Sequence, residues 1–211
     1  MKHGLVKAGY FSGLIVPLWL GIGVSIAGFL YPGYSHINQA MSELGAVGAP
    51  TNIISPVINN YPLGLLFIVF GISIWASFPL SKLAKSSALL IILHGIGSIT
   101  AGYFSCDVGC NPETPSSSQV LHNLSSLVMF LSLCLAGFLW VYLSSKLLCS
   151  KSFAWFSLIC TLIALAVLPA MASAIESGSG FGLYQRINYG VSVIWVAGLA
   201  YVVRKHVENQ S

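Results

Sequence analysis

The sequence predicts an all-α fold: a polytopic membrane bundle of six transmembrane helices with both termini cytoplasmic. Three observations predict it. The chain is 56% hydrophobic and only 7% charged, whereas soluble domains carry about 25% charged residues. Six apolar stretches each reach the roughly 17–25 residues that a spanning helix needs. The basic residues fall on alternate connections, as they do when lysines are retained on the cytoplasmic side. Continuous runs such as Leu63–Trp75 and Trp155–Leu168 lack the alternation of membrane strands, and in lipid a helix satisfies its own backbone hydrogen bonds.

Taken in order, the spans lie near 8–30, 57–79, 86–104, 120–143, 153–172 and 186–204, and residues 1–211 read as a single membrane domain. Lys2 and Lys7 precede the first span. This resembles a signal peptide, but the apolar run exceeds the usual core of about 7–15 residues, so it reads as an uncleaved anchor. Pro17 inside it, and Pro79 and Pro169 later, are expected to kink or end helices. Gly21, Gly23 and Gly28 in the first span, and Gly95 and Gly97 in the third, suit close helix packing. Lys82 and Lys85 follow the second span, Lys146 and Lys151 lie between the fourth and fifth, and Arg204 and Lys205 end the sixth. Eight of the nine basic residues therefore share one side. The opposite loops, near 31–56, 105–119 and 173–185, are rich in Gly, Pro, Ser and Asn, residues that favour turns. Several of the five tryptophans fall near expected interfaces, where this residue is enriched.

Candidate chemistry gathers on the outer side. Arg186 is the basic residue on that side and stands with Glu43, Asp107, Glu113 and Glu176. Arginine pairs bidentately with carboxylate or phosphate, so Arg186 is expected to pair with Asp107, Glu43 or Glu176, or to hold an anionic headgroup. An exposed arginine that reaches to water is the plain alternative. His122 opens the fourth span near Asp107 and can serve as base, metal ligand or proton carrier, or simply bond a loop carbonyl. His36 lies in the first outer loop. Cys106 and Cys110 share an outer loop where a disulfide can form. That bond is the reading carried forward, with metal binding beside His122, Asp107 and His36, redox exchange, and free thiols as the alternatives. His94 lies mid-span, where ionisable residues are functional suspects. At 1.5 Å per residue it sits about 20 Å deeper than Asp107 if the helix continues. Asn59, Asn60, Ser125 and Ser126 can line a polar pocket or join helices.

Together, Ser42-Glu43-Leu44-Gly45, Cys106-Asp107-Val108-Gly109-Cys110 with His122 downstream, and Gly182-Leu183-Tyr184-Gln185-Arg186-Ile187 resemble the membrane family called domain-of-unknown-function 998 over nearly the whole chain. The resemblance implies a compact six-helix bundle and no established activity. A looser similarity to the Frag1/DRAM/Sfk1 membrane proteins hints at lipid-related biology.

Phosphate loops, His-Glu-x-x-His and Gly-x-Ser-x-Gly are absent from the sequence, and no charged run points to nucleic acid. Three functional classes stay open. The first is a protein of the cell membrane that binds or moves a lipid or small amphiphile through an outer polar pocket, with Glu43, Asp107, His122, Glu176 and Arg186 as ligand-binding candidates. The second is a membrane-embedded lipid hydrolase or transferase with His122 and Asp107 as catalytic candidates, acting as acid and base or as ligands of a metal. The third is an accessory or structural subunit. Partners other than the bilayer and such an amphiphile are not indicated, and no residue set specifies a cofactor or a metal.

Overall fold

The computed structural model describes residues 2–209, with side chains from residue 9 onward; Lys2 and Lys7, counted above on the basic side, lie outside the described side chains. The architecture among the described residues is all-helical. It comprises α1 (Lys2–Leu30), α2 (Ile54–Ile58), α3 (Asn60–Ser77), α4 (Lys82–Tyr103), α5 (Ser117–Leu147), α6 (Lys151–Ala166), α7 (Leu168–Ser177) and α8 (Phe181–Glu208). These supply six apolar segments long enough to cross a membrane, two of which are interrupted: Ile54–Ser77 combines α2 and α3, and Lys151–Ser177 combines α6 and α7. The protein is a multi-pass membrane protein.

Local sequence accounts for the helix boundaries. Ser81, Ser116 and Ser150 accept hydrogen bonds from Ala84 N, Gln119 N and Phe153 N at the starts of α4, α5 and α6, satisfying donors that a first turn leaves free. Pro62 has no N–H to offer Ile58 O, four residues before it. Trp19 Nε1 donates to that carbonyl instead, at 2.8 Å, beside the break at Asn59. Pro169 removes the donor for Leu165 O in the same way, and the fifth span breaks between α6 and α7. Pro17 lies within α1 without ending it. After α7 the chain turns through Gly178 and Gly180, both at positive φ.

The helices pack as a ring in which α1 lies on α3, α3 on α4, α4 on α5, α5 on α6, α6 on α8, and α8 on α1. The ring is antiparallel. Arg204 near the end of α8 stacks over Phe11 near the start of α1, and Lys85 over Trp75 at the α3–α4 turn. The short connections and the lysines thus occupy one end, and the long loops 31–53 and 104–116 the other. The third outer loop is much shorter than its expected 173–185, because α7 continues to Ser177.

Toward the lysine end the ring is filled. Trp140 and Trp195 are buried there with Phe70, Ile74 and Leu199, and their indole N–H groups donate to Ser87 and Ser157. These two are core residues, each with a serine partner inside the bundle. Trp19, Trp75 and Trp155 are exposed toward the surroundings.

Candidate functional site: a capped cavity

At the loop end the chain folds back over the bundle, and the cap is tied at three places. Asn38 accepts from Gly180 N at 3.0 Å, and Leu183 N donates to Ile37 O at 2.8 Å. Met41 N donates to Gln185 Oε1 at 2.7 Å. Val47 N donates to Cys106 O at 2.9 Å, which joins the first loop to the second. Cys106 and Cys110 are disulfide-bonded, with a Cα–Cα separation of 5.0 Å. The tight loop turns through Gly109 and Cys110 at positive φ.

Arg186 is the centre of the cap. Its guanidinium donates to Gln39 O at 3.1 Å, Gly182 O at 2.9 Å, Tyr34 Oη at 2.8 Å and His36 Nδ1 at 3.1 Å. The expected carboxylate pairing is corrected: among the described residues the guanidinium bonds to no acid. Glu43 belongs to the same network at one remove. It accepts from Ala40 N at 2.7 Å and from Gln39 Nε2 at 2.9 Å, so Gln39 links acid and base. Desolvation raises the Tyr34 phenol above its ordinary range, against the opposing bond from Arg186. Desolvation, and then the Arg186 charge, lowers the His36 imidazole below its ordinary value.

Asp107 accepts from Ser116 Oγ at 2.6 Å and Ser116 N at 2.9 Å, which hold its carboxyl below the usual range. Its own N–H donates to Gln119 Oε1 at 2.8 Å. The side chain thus secures the second loop to the start of α5. Glu176 is exposed on the last turn of α7. No group of three potential metal ligands is found among the described residues.

Beneath the cap lies a cavity of about 370 Å³, within the roughly 300–1,000 Å³ of small-molecule sites. Its roof is Met41, Ser42 and Gly45 of the first loop, and it descends to Leu133 and Ser192. The walls mix apolar groups such as Leu20, Val24, Leu63 and Phe130 with His94, His122, Asn59, Asn60, Gln185, Asn188 and Tyr189. Of the five ligand-binding candidates, only His122 lines it. Glu43, Asp107, Glu176 and Arg186 do not. Of Asn59, Asn60, Ser125 and Ser126, for which pocket lining and helix joining are the two readings from sequence, Asn59, Asn60 and Ser126 line it and Ser125 instead bonds Thr100 and Leu121 O; His94 faces the same space as His122.

The polar wall is specified atom by atom. His122 Nδ1 lies 2.9 Å from both Ala101 O and Phe104 O. Carbonyls only accept, so Nδ1 carries the hydrogen. Asp107 and His122 are each engaged elsewhere and form no acid–base pair with one another. His94 Nδ1 likewise donates to Met129 O at 2.9 Å, and its Nε2 accepts from the Tyr189 hydroxyl at 3.0 Å. Asn188 donates to Ala164 O at 2.6 Å. Asn59 is buried, and its Oδ1 has no hydrogen-bond partner among the described residues.

Two helices that line the cavity, α5 and α7, scarcely touch. The break at Val167 turns α7 onto α8 and α6. Leu127 and Phe130 of α5 and Leu168 and Met171 of α7 line the cavity at that gap.

Sequence reasoning passed over Tyr189 and Asn188, and met Gln185 only as part of the Gly182–Ile187 motif. The signal available was the position of Asn188 and Tyr189 within the first turn of an apolar span, where polar side chains need partners. A family model described as "Protein of unknown function (DUF998)" matches residues 14–202. No curated protein and no solved structure matches.

Proposed function

The chain belongs to the DUF998 family, a family of unknown function, and we propose that it binds a small amphiphile drawn from the membrane, held in the capped cavity at its loop end. The observation that carries this reading is the cavity itself: about 370 Å³ of space, inside a membrane protein, lined by polar and apolar side chains together. A ligand with a small polar head and an apolar tail satisfies both. Two features favour entry from the lipid side. The roof is pinned to α8 and to the disulfide loop by backbone hydrogen bonds, whereas the α5–α7 gap is lined by Leu127, Phe130, Leu168 and Met171. Apolar lips at lipid depth admit a tail without exposing backbone polar groups to hydrocarbon.

In this reading Arg186, Glu43 and Asp107 build the cap and leave the binding to residues below it. The test is lipid analysis of the protein purified in mild detergent, beside a Ser192→Phe variant that fills the deep end. The expected result is an amphiphile retained by the unaltered protein and lost from the variant, with both showing the same helical content and a cooperative melt. Identical lipid profiles from the two proteins would overturn the reading.

A further inference from the structure

We propose that the amphiphile is uncharged and headed by a hydroxyl, and that His122 Nε2 accepts the hydroxyl's hydrogen. This rests on the amphiphile reading and narrows it to a chemical class.

The first ground is charge. Among the described residues, no Asp, Glu, Lys or Arg lines the cavity. A charged head buried there has no counter-ion, and burying a charge without a partner is costly. Arg186, the cation nearest in sequence to the cavity residues Gln185 and Asn188, has its guanidinium committed to Gln39 O, Gly182 O, Tyr34 and His36. Glu43 and Asp107 are held outside the cavity by the cap and by Ser116, and Glu113 and Glu176 do not line it. Fatty carboxylates, phosphate-headed lipids and quaternary amines are therefore disfavoured.

The second ground is the hydrogen-bond inventory. The two carbonyls at His122 Nδ1 fix a hydrogen there, so in its neutral form the ring presents Nε2 as an acceptor. That nitrogen has no protein partner among the described residues, and His122 lines the cavity while being 91% buried by its exposure of 9%. The equivalent nitrogen of His94 is already taken by Tyr189. The wall thus offers one unused imidazole acceptor. Gln185, whose Oε1 is occupied by Met41 N, keeps its Nε2 hydrogens as donors. A hydroxyl both donates and accepts, so it is a head group that can answer either kind of partner. An ether or ester head has no hydrogen for His122 and leaves the acceptor unpaired, the asymmetry by which a polar site rejects an analogue lacking its donor.

The experiment is photo-crosslinking of the full chain in nanodiscs with a diazirine-bearing long-chain alcohol, mapped by peptide mass spectrometry. Unlabelled alcohol, the carboxylate of equal length and the matching quaternary ammonium compete. The expected result is labelling in α4, α5 and α8 peptides, with the alcohol competing about tenfold or more better than either ion. In His122→Ala the labelling persists and the alcohol's advantage falls to about threefold or less. If that variant fails to fold, the competition order in the unaltered protein still decides the ligand class. Ions that compete as well as the alcohol overturn the neutral-hydroxyl assignment and leave the amphiphile reading standing. An advantage undiminished in a folded His122→Ala variant overturns the role of His122. No labelling of cavity peptides overturns the amphiphile reading and this inference with it.

Discussion

His36 shows how one ring can make the cap respond to pH. Its Nδ1 accepts a hydrogen from Arg186 at 3.1 Å, which requires that nitrogen to be unprotonated. Tyr34 meets the ring edge-on at 5.0 Å, and Glu43 joins the same network through Gln39. Burial first, and then the neighbouring guanidinium, depress its folded value below 6.5. The sign follows from linkage. The unfolded chain binds the proton more readily, so the stabilisation is present above 6.5 and is lost as pH falls through the depressed folded value. Asp107 is also depressed, but from 3.8, so its contribution is lost only at more acid pH. Hydrogen exchange of residues 36–45, corrected for intrinsic rates, is expected to speed up as pH falls from about 7 to about 5.5. His36→Gln should flatten that response, and an unaltered response in the variant would assign it to another group.

Among the elements, glycines determine how closely the helices approach. α3 and α4 cross where a Cβ at Gly95 would lie 2.5 Å from Gly64 O and 2.8 Å from Ile68 Cγ1. Backbone cannot retreat from such a contact without shifting a whole helix. Gly95→Val is therefore expected to destabilise the bundle by about 1–3 kcal/mol, seen as a lower melting temperature in detergent. Gly21→Ala is the contrast: nothing lies within 4 Å of the added atom, and its melting temperature should match the parent or rise slightly, since alanine favours helix. Equal melting temperatures for the two variants would remove the packing argument. Both residues look alike in the sequence, as glycines in apolar spans. What separates them is whether a neighbouring helix is there. The breaks at Asn59 and Val167 likewise follow from Pro62 and Pro169, but the consequence of the second, an α7 turned away from α5, depends on where α8 lies.

For the whole molecule, the expectation to test is orientation: which end faces the cytoplasm. Lysine distribution predicts the end bearing the short connections. Cys149 offers a native reporter, because it is exposed in the α5–α6 turn, whereas Cys134 and Cys160 are buried and Cys106 and Cys110 are bonded. An impermeant maleimide is expected to leave intact cells unlabelled at Cys149 and to label it once the membrane is opened. Labelling of intact cells would invert the bundle and put the cap and cavity on the cytoplasmic side.

By itself the sequence determined the helical class, the six spans and the family, because each span is a continuous apolar run whose hydrophobicity is a local property. It also marked His122, His94, Asn59 and Asn60 as polar residues in unusual places, and the Cys106–Cys110 bond as favoured. Only the tertiary structure decided their company. It assigned Arg186, Glu43 and Asp107 to the cap, left Glu176 exposed, and brought His122 and His94 to one cavity with Gln185, Asn188 and Tyr189. The reason is physical. A cavity is what packing leaves unfilled among several helices, and the direction of a side chain across that space depends on helix crossings and breaks, which no single stretch of sequence encodes.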